Sequence, residues 1–125
     1  MTRHYQTEEE IEAVVRGFEG CTTEKGAFTH LDHLTVAVWY LRHFNEVEAL
    51  NQMRTGLLRF LAHHDVPQGK YKEGLTVSWM NLTRKTLAEL PSSWSLVDAT
   101  NVLLERLGKS DLVAEVIEGS EALVF

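Results

Sequence analysis

The run from Leu31 to Leu41 reads Leu-Asp-His-Leu-Thr-Val-Ala-Val-Trp-Tyr-Leu. Wound at about 3.6 residues per turn, it presents apolar side chains over most of its circumference. A helix with so little polar face is stable only when other elements enclose it. That segment therefore constrains the whole chain: what remains must supply amphipathic helices to surround a central one. Thr29 precedes it as a cap, with Asp32 three residues on, and the spacing predicts a helix from there to about Phe44.

The flanking sequence has the required periodicity. Thr7 followed by Glu8, Glu9 and Glu10 is a capping box with carboxylates at the positive end of the helix dipole, and Ile11, Val14, Val15 and Phe18 then share one face. A third helix is predicted over Glu46 to His63, with the stripe Val47, Leu50, Met53, Leu57, Leu58 and Leu61. A fourth starts near Tyr71, buries Leu75, Trp79, Leu82, Leu87 and Leu90, and is stopped by Pro91. Ser92, Ser93 and Ser95 are candidate caps for a fifth, which carries Leu96, Leu103, Leu104 and Leu107 and ends at Gly108. Ser110 or Asp111 caps a short sixth with Leu112, Val113, Val116 and Ile117, ahead of an apolar tail at residues 121–125. No stretch alternates with the period of a strand. The expectation is an all-α fold: an irregular bundle of five or six helices, the second central, in one domain spanning residues 1–125. Leu34 and Leu41 on the central helix are expected to be fully buried. With 44% hydrophobic residues the chain can build a core without disulfides or a structural metal.

Charge narrows the function classes. The formal net charge of −6 disfavours phosphate backbones and anionic lipid, and the densest basic pair is Arg84-Lys85, so neither nucleic acid nor membrane is an expected partner. The longest nearly apolar run, Val36 to Leu41, is far too short for a membrane span, and the first ten residues contain no apolar segment of the secretory type. The single cysteine, Cys21, fits a reducing cytoplasm and is expected to be a small buried side chain. Neither glycine-rich phosphate-loop pattern occurs.

Candidate chemistry rests on the six histidines. His30 and His33 are three residues apart in the first turn of the central helix, close enough to chelate one divalent cation. Antiparallel packing brings the end of the third helix, at His63 and His64, and the start of the fourth, at Tyr71 and Glu73, to that same end of the bundle. His30, His33, His64 and Glu73 then form an expected metal set of imidazoles plus a carboxylate, suited to zinc or another first-row ion. The plainer reading is a capped helix start, histidines at a helix C-terminus, and a first-turn acid at a helix N-terminus.

Two segments carry a resemblance. Phe28-Thr-His-Leu-Asp-His-Leu-Thr-Val-Ala-Val-Trp-Tyr-Leu41 resembles Phe-x-His-x-x-His-Leu-x-x-Ala-x-x-Tyr-Leu, and Gly69-Lys-Tyr-Lys-Glu-Gly-Leu-Thr-Val-Ser-Trp79 resembles Tyr-His-Glu-Thr-Leu-Thr-x-x-Trp from its Tyr71 onward. Both patterns are those of a family of small bacterial all-helical proteins with no established activity. The resemblance covers the middle half of the chain and implies a helical domain with a polar His/Glu cluster. Lys72 stands where that pattern has histidine, and Gly74 where it has threonine. A lysine there opposes cation binding. The alternatives are a metal held by the remaining ligands, or a Lys72 paired with Glu73 or Asp32 beside a pocket for an organic anion.

The expected function is a small cytoplasmic protein with a polar pocket at one bundle end, acting as a divalent-metal-dependent enzyme or as a binder of a small-molecule ligand. In the enzyme form Glu73, Tyr71 and Lys72 would be the catalytic, positioning or proton-donating groups. The alternative is a non-catalytic, homodimeric helical interaction module whose histidines are structural.

Overall fold

The computed structural model describes residues 5–108, and over them it is all-helical, with no strand. The helices are α1 (Glu8–Glu19), α2 (His30–His43), α3 (Glu46–His63), α4 (Glu73–Ala88) and α5 (Leu96–Leu107). Single 3₁₀ turns, Lys25–Ala27 and Gln68–Lys70, sit in the loops before α2 and α4. The sixth helix and apolar tail expected from the sequence lie outside the described residues.

The helix starts follow from local chemistry. Thr7 Oγ1 accepts from the Glu10 N–H while Glu10 Oε1 accepts from the Thr7 N–H, closing the capping box. Thr29 and Asp32 do the same for α2: Asp32 Oδ2 accepts from the Thr29 N–H at 2.9 Å. Ser95 Oγ accepts from the Asp98 N–H at the start of α5. The fourth helix begins at Glu73 rather than near Tyr71, because Tyr71 and Lys72 are extended. Tyr71 closes the preceding 3₁₀ turn, and Lys72 becomes the N-cap.

The central placement of α2 is observed: it packs against each of the other four α-helices. Leu34, Thr35, Val36, Ala37 and Val38 all have zero exposure. Successive helical residues are about 100° apart, so five in a row sample every direction around the axis. Leu41 departs from expectation. It is only partly buried, because by that turn α2 emerges beside a cleft that it helps to line.

Order along the bundle is fixed by contacts at both ends. Arg84 near the end of α4 meets Glu46 at the start of α3, whereas Arg54 further along α3 meets Glu73 at the start of α4, so these helices are antiparallel. Likewise His30 lies by Leu107 and Arg42 by Trp94, making α2 antiparallel to α5. The α1–α3 approach depends on Gly56: a Cβ there would lie 2.4 Å from the ring of the fully buried Phe18. The N-terminal segment is clasped to the body. The Tyr5 N–H donates to Asn101 Oδ1, Asn101 Nδ2 donates to the Tyr5 carbonyl, and the Tyr5 hydroxyl shares a hydrogen bond with Thr35.

Candidate functional site

The end of the bundle that carries the histidines is built from rings. Phe28, delivered by the loop before α2, stacks on Phe18 and packs against Phe60 of α3 with centroids 5.1 Å apart. His33 meets Phe28 edge-on at 4.5 Å, and His64 packs on Phe60 at 4.4 Å. His33 and His64 are thus linked through two phenylalanines. His30 turns to another neighbour: its ring meets Trp79 of α4 at 4.5 Å, and its Nε2 lies 3.4 Å from the Leu107 carbonyl. His43, at the far end of α2, stacks on Trp39 at 4.1 Å. Each of these four histidines therefore has an aromatic partner.

His33 is buried, with Nδ1 at 3.1 Å from the Thr29 carbonyl. Burial, reinforced by the neighbouring charge of a protonated His30, pushes its pKa down to about 3. At neutral pH this imidazole is uncharged, and Nδ1 is the nitrogen that donates to the carbonyl.

Glu73 is committed elsewhere. Arg54 Nε donates to Glu73 Oε1 at 2.9 Å, a second guanidinium nitrogen reaches Oε2, and the Tyr71 hydroxyl donates to Oε1 at 2.6 Å. The Arg54 bonds, followed by that from Tyr71, hold the Glu73 carboxyl down to about 2. Tyr71 is raised, first by burial and then by the hydrogen bond it gives to Glu73. Lys72 is exposed and forms no side-chain cap. Of the two carboxylates offered as alternative partners for Lys72, Glu73 is bonded to Arg54 and Asp32 accepts from the Thr29 N–H.

The residues singled out from the sequence thus fall into separate groups: His33 and His64 on the phenylalanines, His30 on the tryptophan, Tyr71 and Glu73 on Arg54, and Lys72 exposed at the start of α4. Among the described residues no three His, Cys, Asp or Glu side chains form a group able to hold a metal ion. Cys21 is buried as expected, with Sγ near the Arg59 carbonyl.

The opposite end holds a cleft that the histidine pattern did not indicate. It has a volume of about 420 Å³ and lies between the end of α2, the start of α3, the end of α4 and the start of α5. Leu41, Leu87, Leu90 and Pro91 wall it, and Arg42, Arg84 and Glu46 supply its charge. Arg42 is held in place by a 3.0 Å bond to the Trp94 carbonyl. Arg84 Nε lies 3.3 Å from Glu46 Oε1, yet that nitrogen is buried and makes no hydrogen bond, because the approach is badly angled. A smaller cavity of about 260 Å³ adjoins it along the α3–α4 groove, sharing Leu41, Glu46 and Arg84. One sequence signal did mark the place. Met80, Arg84 and Leu87 follow the i, i+4, i+7 spacing of a single helical stripe, so Arg84 is a charge in an apolar row.

No family model, curated protein or solved structure matches the chain. Among the described residues no helix is long and apolar enough to cross a membrane.

Proposed function

We propose that this protein binds a small organic anion with an apolar body in the cleft between α2, α3, α4 and α5. One observation carries the reading: Arg42 and Arg84 stand over a cleft of about 420 Å³ whose other walls are mostly apolar. That volume is in the range of small-molecule sites, which pair apolar walls with a few placed polar groups. The chain as a whole is acidic, with a net charge of −6, but here two guanidiniums face a single carboxylate. The local field therefore favours an anion against the global trend. His30, His33, His43 and His64, each against an aromatic ring, serve packing in this reading.

Thermal unfolding and calorimetric titration with octanoate, octanol and octylammonium test it. Octanoate is expected to raise Tm and to bind most tightly, octanol to bind weakly, and octylammonium to bind least. Ala88→Trp, which fills the cleft from an exposed position, should abolish the octanoate effect. Equal responses to all three compounds would sink the proposal, and so would no response to any of them in both wild type and Glu46→Gln, the variant that removes the carboxylate beside Arg84. A zinc titration in the same format addresses the metal reading: a zinc-dependent rise in Tm that is lost in His30→Ala/His33→Ala would restore it.

A second reading has its own observation. Phe44 and Val47, at the α2–α3 turn, are 40% and 71% exposed, an apolar pair that a second copy of the chain could cover. Light scattering behind size exclusion decides it: a dimer converted to monomer by Val47→Lys supports self-association, and a wild-type monomer removes it.

A further inference from the structure

The anion-binding reading leaves a question of occupancy, because Arg84 already has a carboxylate beside it. Glu46 Oε1 is 3.3 Å from Arg84 Nε, and both residues line the cleft and the adjoining groove. The contact has two unusual properties. It is electrostatic without being a hydrogen bond, since the buried Nε–H finds no acceptor. It is also lopsided in solvation: the Glu46 side chain is 62% exposed and that of Arg84 is 39% exposed. Glu46 can swing into water at little cost, whereas Arg84 is held in the apolar row of α4. A buried donor left without an acceptor is a standing cost that a better-placed oxygen would remove.

We infer that Glu46 is a built-in, displaceable occupant of the anion site, covering Arg84 in the free protein until the ligand's anionic head replaces it. This rests on the cleft being the binding site. In the bound state one ligand oxygen accepts from Arg84 Nε–H, Arg42 supplies the second positive charge, and the apolar body lies along Leu41, Leu87 and Leu90. The Glu46 carboxylate moves to solvent. The arrangement is a competition, so it sets a threshold: weak or poorly shaped anions fail to displace Glu46, and the cleft selects those that add apolar contact to charge. A series of straight-chain carboxylates should then gain up to about fourfold in affinity per methylene, the equivalent of ~0.8 kcal/mol for a buried CH₂.

The experiment is calorimetric titration of octanoate and octanol into wild type, Glu46→Gln and Arg84→Met at low ionic strength, where surface charge pairs are least screened. Glu46→Gln is expected to bind octanoate up to about fivefold more tightly than wild type, the equivalent of an exposed ion pair worth about 1 kcal/mol. Its octanol affinity should stay unchanged, which a general loosening of the cleft would not produce. Arg84→Met should lose at least about tenfold in octanoate affinity, as expected for a charge-assisted hydrogen bond, and should bind octanol at least as well. Binding by Glu46→Gln where wild type shows none would also support displacement. Octanoate binding that is equal or weaker in Glu46→Gln overturns the inference while leaving the cleft reading intact. Absence of octanoate binding in both wild type and Glu46→Gln overturns both.

Discussion

His33 joins the stability of this protein to pH. Its imidazole is buried against Phe28 and titrates near 3, whereas an exposed histidine titrates near 6.5. Between those values the unfolded chain takes up a proton that the folded one refuses. Stability from this group is thus full above about pH 6.5 and is lost as pH falls towards 3. From pH 6.5 to 5 the loss should approach about 2 kcal/mol, at ~1.4 kcal/mol per unit. Urea denaturation midpoints at the two pH values measure it, and His33→Leu should flatten the dependence whatever it does to the absolute stability. A wild type whose midpoint does not fall on acidification would contradict the burial of this ring. The sequence marked His33 as chemically interesting, but spacing alone could not say what its ring would meet. Phe28 comes from the loop before α2, and it had to fold back onto His33 before an expected ligand became a packed neutral ring. Glu73 shows the same limit. A first-turn acid is legible locally, while its partner Arg54 comes from another helix. Arg84 entered the sequence reading only as half of a basic pair, although its context, a guanidinium in an apolar row, was a signal available there.

Helix boundaries were the most legible feature because they are decided within four residues. The Thr7, Thr29 and Ser95 caps all depend on a side chain and a backbone amide three positions apart. Thr7→Ala and Thr29→Ala should each cost about 1 kcal/mol in chemical denaturation. Midpoints unmoved in both variants would mean that those caps are idle. Within α2 the apolar pattern placed the helix at the centre but could not separate a core position from a cleft wall, since both are apolar. Leu34 has zero exposure and Leu41 is partly buried. Leu34→Ala should therefore destabilise by about 2 to 5 kcal/mol, and Leu41→Ala by clearly less, because water already reaches the space it would leave. Equal losses at the two positions would contradict the cleft. What the pattern could not supply was the close approach of α1 and α3 at Gly56, where the reason for the glycine is a ring on another helix.

At the scale of the whole molecule, each helix packs on its neighbour in sequence, and α2 also packs on α4 and α5. Helical bundles, rich in contacts within each helix, commit after little search, and folding within microseconds to milliseconds is expected. The clasp of Tyr5 to Asn101 joins residues 96 positions apart. Both partners must wait until α5 has found α2, so the clasp belongs after the rate-limiting barrier. Asn101→Ala should then speed unfolding and leave the refolding rate almost untouched, a φ-value near zero in stopped-flow chevrons. A slowed refolding arm would place the clasp inside the nucleus instead. If it closes last it also opens first, and Tyr5, the residue tied to both α2 and α5, becomes the point from which the native bundle begins to come apart.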